Sequence, residues 1–128
     1  MMKATTFFDS VSEFQESFGQ ITDAVFDYNT QLTKTMLNLR KKLIEEEAKE
    51  LSDAIDSGDE LAIKKEAADL LYVVTGLFVD YGWPMTAIFN RVHASNMSKL
   101  GEDGKPIYRE DGKVMKSENY TAPNLEGV

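Results

Sequence analysis

Two segments of this chain carry carboxylates at positions where a helix that packs should carry apolar side chains. They are Glu46, Glu47 and Glu50 in LIEEEAKEL, and Glu66 and Asp69 in KKEAADLLYVV. In the first, Leu32, Met36, Leu39 and Leu43 recur every three or four residues, and the same walk continues to Glu47, Glu50 and Ala54. In the second it runs through Ala62, Glu66, Asp69, Val73, Gly76 and Leu77. Two acidic pairs are therefore expected to face one seam. Desolvation and mutual repulsion make such a seam costly unless a cation lies in it.

The surrounding pattern is helical. A short helix is expected from about Ser10 to Phe18, capped by Asp9 or Ser10 and ended by Gly19. A connector follows to Asn29. A long helix runs from about Thr30 to Ser57, stopped at Ser57-Gly58-Asp59, and the next, capped by Asp59, reaches about Tyr81 before Gly82. A fourth spans about Trp83 to Leu100, with Pro84 in its first turn. Short connections make neighbours antiparallel. Beyond Leu100, PIYREDGKVMK predicts two short strands around Asp111-Gly112, a hairpin that needs something to pack on. The expected architecture is an all-α antiparallel helical bundle with a short C-terminal β-hairpin or extended tail. At 128 residues it is read as one domain, with a helical core at about residues 10–100 and an extension at about 101–128.

Composition removes several chemistries. With no cysteine, disulfide frameworks and zinc-thiolate or thiol catalysis are out, and a reducing cytoplasmic location is expected. No apolar run is long enough to span a bilayer, and the first residues lack an export-signal core. A net charge of −8 disfavours nucleic-acid polymers. It leaves small phosphorylated ligands open, provided that divalent cations lie between carboxylate and phosphate. A di-iron bundle needs Glu-x-x-His pairs, and the single His93 stands outside both acidic clusters. Hard oxygen donors favour magnesium, with manganese as a substitute. Such an ion, with phosphate oxygens and water in its shell, suits hydrolysis of a phosphoanhydride. In that chemistry Glu47, Glu50, Glu66 and Asp69 are ligands. Glu46 supports a further ion or acts as general base.

These residues resemble the MazG-like, all-α nucleoside triphosphate pyrophosphohydrolases, within the phosphoribosyl-ATP pyrophosphohydrolase-like superfamily, whose signature is EExxE followed by ExxD. Here it reads Glu46-Glu47-Ala48-Lys49-Glu50 and Glu66-Ala67-Ala68-Asp69, with FQESFG upstream and VHASNMSK downstream. The resemblance implies magnesium-dependent cleavage between the α and β phosphates, two or three ions per site, and a homodimer or homotetramer. By the same resemblance Glu47, Glu50, Glu66 and Asp69 are the metal ligands, Glu46 supports a further metal or the nucleophilic water, and Asn96 and Lys99 are candidates for substrate contacts. It leaves the substrate open between deoxynucleotides such as dGTP and phosphoribosyl-ATP. A non-catalytic oligomerising helical module is the reading from another class.

Other side chains have two readings each. Trp83 stacks on a base or packs at a helix start. Arg40, Arg91 and Lys99 meet phosphates or face solvent. Asp80 is an outer metal ligand or a surface acid. Glu45 is expected in surface pairs with Lys41 or Lys49, and Lys42 with Glu46 is a third such pair.

Overall fold

The computed structural model describes residues 6–128, which form four helices and one two-stranded sheet. They divide into two compact units, the first ending at Trp83 and the second running Pro84–Val128.

The first unit holds α1 (Phe7–Ser17), α2 (Gln31–Ser57) and α3 (Glu60–Tyr81). Each begins on a side chain that satisfies an orphan amide. Thr6 Oγ1 accepts from the amide of Asp9, Thr30 Oγ1 from that of Thr33, and Asp59 Oδ1 from those of Leu61 and Ala62. The first cap is a correction. The hydroxyl of Thr6, not Asp9 or Ser10, starts α1, and Asp9 lies in the first turn, where its charge faces the positive helix end. Gly58 and Gly82 end α2 and α3 in left-handed conformations. The connector then folds back on α3: the amides of Asp23 and Ala24 donate to the carbonyls of Val79 and Asp80 at 3.0 and 2.8 Å. Asp23 itself takes a left-handed φ of 57° to do so.

The seam between α2 and α3 is rotated from the expected apolar stripe. The inward line of α2 is Thr33, Arg40, Glu47 and Ala54, one residue in seven, whereas Leu32 and Leu39 are 51% and 61% exposed. The apolar residues of α2 flank that line on both sides, so following one flank gave a direction displaced from the true contact. The core is correspondingly thin in hydrocarbon. Its buried apolar members are Val11, Ala54, Val79 and Tyr81, accompanied by the buried polar residues Gln15, Thr33, Thr75 and Asp80.

A buried ion pair joins the three helices. Arg40 of α2 donates Nε to Asp80 Oδ2 at 2.9 Å and Nη2 to Asp80 Oδ1 at 2.8 Å, a bidentate contact with α3. Gln15 of α1 donates Nε2 to Asp80 Oδ1 at 3.0 Å and accepts from Arg40 Nη2 at 3.3 Å. Arg40 Nη1 reaches the carbonyl of Val73 at 3.3 Å. Gly76 makes room for the guanidinium: a Cβ there would lie 2.7 Å from Cζ of Arg40 and closer still to Nη1. Asp80 is thus neither a solvent-facing acid nor free to be a metal ligand, and Arg40 is held away from a surface role.

The second unit contains α4 (Met85–Met97) and a hairpin of β1 (Ile107–Tyr108) and β2 (Val114–Met115). Pro84 occupies the position before the helix, which ends three residues short of the expected Leu100. The strands pair antiparallel, Ile107 opposite Met115 and Tyr108 opposite Val114, across a loop containing Asp111 and Gly112. Asp111 pairs with the guanidinium of Arg109. All four strand residues are exposed, so the hairpin is not packed in the way the sequence suggests. The segment after it is fastened to α4 instead. Ser95 Oγ donates to the carbonyl of Thr121 at 2.7 Å, and Ser117 Oγ to that of Leu100 at 2.7 Å. Arg91 Nη1 donates to the carbonyls of Asn124 and Glu126 at 3.0 and 3.2 Å.

Replacing Gly76 by Ala is expected to displace Arg40 from Asp80 and to destabilise the protein by about 2–4 kcal/mol, an overpacking cost added to a disrupted buried pair. Urea unfolding of the variant reads this directly.

Candidate active site

Antiparallel packing brings Glu47 of α2 opposite Glu66 and Asp69 of α3. One carboxylate oxygen from each lies within 4.8 Å of the other two. Glu47 follows Arg40 by two turns of α2, and Asp69 precedes Asp80 by three turns of α3, so the ion pair and the carboxylates occupy successive levels of one seam. Fixing the first fixes the register of the second.

The three acids are incompletely satisfied. Oε2 of Glu47 and Oε2 of Glu66 are buried without a hydrogen-bond partner; among the described residues, Thr75 Oγ1 is the other buried side-chain atom in that condition. Burial is the largest influence on Glu47 and pushes its carboxyl above the ordinary 4.5. Neighbouring Glu50 adds to this through its charge and a shared hydrogen bond, followed by the charges of Asp69 and Glu66. Lys65 provides partial compensation. Its ammonium lies 2.7 Å from Asp69 Oδ2 and 3.3 Å from Glu66 Oε1, and these two acids hold its pKa well above the usual lysine range. Sequence reasoning missed this lysine, although its spacing to Asp69, one helical turn, was visible.

A divalent cation fits this donor set. The oxygens are hard, they converge from two helices, and two of them are buried without a proton donor. Glu47, Glu66 and Asp69 are the residues that would hold it, with Glu50 beside Glu47. Glu50 is largely exposed on the flank of α2. Glu46 is also exposed and lies outside the three-carboxylate group.

The remaining sequence candidates sit elsewhere. Trp83 packs in an aromatic cluster, stacked on Tyr81 with ring centroids 5.0 Å apart and tilted against Phe26 at 5.6 Å. Arg91, Asn96 and Lys99 belong to the second unit, where Arg91 holds the C-terminal segment, Asn96 is exposed and Lys99 half-buried. Glu45 pairs with Lys41 at 3.8 Å, and Lys49 pairs with Asp53, not with Glu45.

Facing carboxylates on adjacent antiparallel helices define a class of helical proteins with an acidic centre between paired helices. Within that class, the family model described as phosphoribosyl-ATP pyrophosphohydrolase matches residues 11–96, a span that contains both acidic clusters. The chain belongs to this family, within the superfamily that also includes the MazG-like proteins. It is 32% identical over 120 residues to an uncharacterized protein of Acanthamoeba polyphaga mimivirus, covering 90% of this chain and 43% of that one. The chain thus spans less than half the length of that relative. A solved structure from Exiguobacterium sp. 255-15, provisionally named an NTP pyrophosphohydrolase, superposes with a TM-score of 0.40 at 24% identity, over 94% of this chain and 90% of that one. Among the described residues, no helix is long and apolar enough to cross a membrane.

The raised pKa of Glu47 has a definite sign. The folded state binds a proton more readily than the unfolded chain, so the stabilisation is fully present below about pH 4.5 and is lost as pH rises through the elevated folded value. In chelator, wild-type melting temperature should fall across that window more steeply than that of Glu47→Gln, which keeps a neutral side chain throughout. Parallel slopes would contradict the assignment.

Proposed function

We propose that the protein is a divalent-metal-dependent nucleoside triphosphate pyrophosphohydrolase. It uses water to cleave between the α and β phosphates and yields a nucleoside monophosphate and pyrophosphate. Deoxynucleotides such as dGTP are the leading substrates. The observation that carries this reading is the convergence of Glu47, Glu66 and Asp69 with two buried carboxylate oxygens lacking any donor. Family membership supports it.

Magnesium, or manganese in its place, neutralises phosphate charge and acidifies a water when bound. Glu47, Glu66 and Asp69, with Glu50 beside Glu47, are the residues that would hold such ions, two or three by the family resemblance. Glu46, being exposed beside that group, is assigned to a further ion or to removal of a proton from the attacking water. Lys65, paired with Glu66 and Asp69, is the cationic side chain beside these carboxylates that would be available to phosphate oxygens were an ion to take its place on them. Exposed Leu32, together with so small a hydrocarbon core, favours an assembly of two or four copies. Sedimentation equilibrium is expected to return a dimer or tetramer mass, and a monomer would remove that part of the reading.

Phosphoribosyl-ATP is the second candidate substrate, favoured by the description of the family. The deciding experiment incubates purified protein with each dNTP, each NTP and phosphoribosyl-ATP, with magnesium, manganese or chelator, and resolves the products. Monophosphate plus pyrophosphate only in the metal reactions is the expected result. Absence of turnover on all of them would leave the non-catalytic helical module. Added magnesium or manganese should also raise the melting temperature of the wild type but not of Glu47→Gln or Glu66→Gln, since a ligand of the folded state stabilises by mass action.

A further inference from the structure

We propose that a pocket on the open flank of α2 receives the nucleobase, and that Asp80 at its floor reads a hydrogen-bond donor on the base edge. The cavity, about 300 Å³, is walled by Ile21 of the connector with Met36, Leu39 and Leu43 of α2. This deepens the nucleotide reading and rests on it.

Position is the first support. Met36, Leu39 and Leu43 lie on the flank of α2 that continues to Glu46 and Glu50, and Leu39 and Leu43 precede Glu47 by two turns and one. At 1.5 Å per residue that is roughly 6–12 Å along the helix from the acidic centre, a span that a bridging cation, the α phosphate and the sugar cover together. A nucleotide whose phosphates are joined to the carboxylates through divalent cations would therefore extend its base toward this cavity.

Chemistry is the second. The walls are hydrocarbon, and Ile21 and Leu39 remain 49% and 61% exposed, leaving apolar surface for the faces of a flat ring. The floor is polar and unevenly used. Oδ1 of Asp80 accepts from Arg40 Nη2 and Gln15 Nε2, whereas Oδ2 accepts only from Arg40 Nε. A carboxylate oxygen has two acceptor sites, so Oδ2 has room for one more donor. An aliphatic side chain inserted here would cover that acceptor without a proton to offer, an unfavourable burial. A base supplies both the apolar faces and an N–H on its edge. Arg40 balances the charge of Asp80, so the floor does not repel a neighbouring polyphosphate. A few polar groups at the base of apolar walls is the usual construction of a ligand pocket, and the volume lies at the small end of the roughly 300–1,000 Å³ range.

The test separates this pocket from the hydrolysis itself. Protein with magnesium present, labelled in its Ile, Leu and Met methyl groups, is titrated with each deoxynucleoside monophosphate, which is a product and is not turned over. The methyl resonances of Ile21, Met36, Leu39 and Leu43 should move. Leu39→Arg, at an exposed position that does not threaten folding, should raise KM for dNTPs about tenfold or more with little change in kcat. Asp80→Asn, if it folds without its ion pair, should reorder the dNTP preference, because a donor replaces an acceptor. Unmoved methyl resonances at saturating nucleotide, or an unchanged KM in Leu39→Arg, would overturn the pocket while leaving the hydrolysis reading intact. Methyl shifts in a protein that hydrolyses no nucleotide would support the pocket and remove the hydrolysis reading alone. A change in sedimentation mass for Leu39→Arg without nucleotide-dependent shifts in the wild type would assign the face to a second copy and also overturn the proposal.

Discussion

The bidentate contact between Arg40 and Asp80 is the constraint on which the first unit depends. A buried charge pair is a poor source of net stability, because desolvation of both ions offsets their attraction. Its consequence is geometric. A planar guanidinium held by two oxygens, a helix carbonyl and the amide of Gln15 admits one relative placement of three helices. Sliding α2 along α3 by one residue would leave an ion in hydrocarbon. With so few buried apolar side chains, register here depends on polar complementarity more than on interdigitating aliphatics.

That register sets up a contrast along the seam. At one level each guanidinium nitrogen has an acceptor; at the next, three acids face one another with two oxygens unpaired. Natural proteins rarely leave buried acceptors in that state without a use. Lys65 relieves the outer side of the group, on the oxygens of Glu66 and Asp69, but does not reach the buried oxygen of Glu47. A fixed register therefore lies beside a locally unfavourable site, and the neighbouring ion pair keeps that site in place.

Local signals carried the helices well. Thr30, Gly58, Asp59 and Gly82 marked boundaries that the structure keeps to within a residue, because caps and left-handed stops act over three or four positions. The convergence of Glu47 with Glu66 and Asp69 was also legible, although the apolar walk that led to Glu47 ran along a flank of α2 and not along its contact line. The rotation of α2 was not. Leu37, Ile44 and Leu51 flank one side of the true contact line as Leu32, Leu39 and Leu43 flank the other, and periodicity alone does not choose between two apolar flanks. Arg40 and Asp80 were misread for a related reason: they are partners 40 residues apart, and neither has a local pattern announcing the other. Gly76 was the available clue, a glycine inside a helix at the position where a large side chain crosses.

The C-terminal segment has a different relation to its sequence. Arg91, Ser95 and Ser98 of the second unit hold it through the main-chain oxygens or amide of Thr121, Asn124 and Glu126, not through the side chains of those residues. Main-chain groups are the same for nearly every amino acid. The path of that segment is therefore written in α4 and the turn after it, and positions 121 and 126 have latitude to drift over generations while the three residues that grip them do not; Asn124 has less, because its Oδ1 accepts from the amide of Glu126 at 3.0 Å.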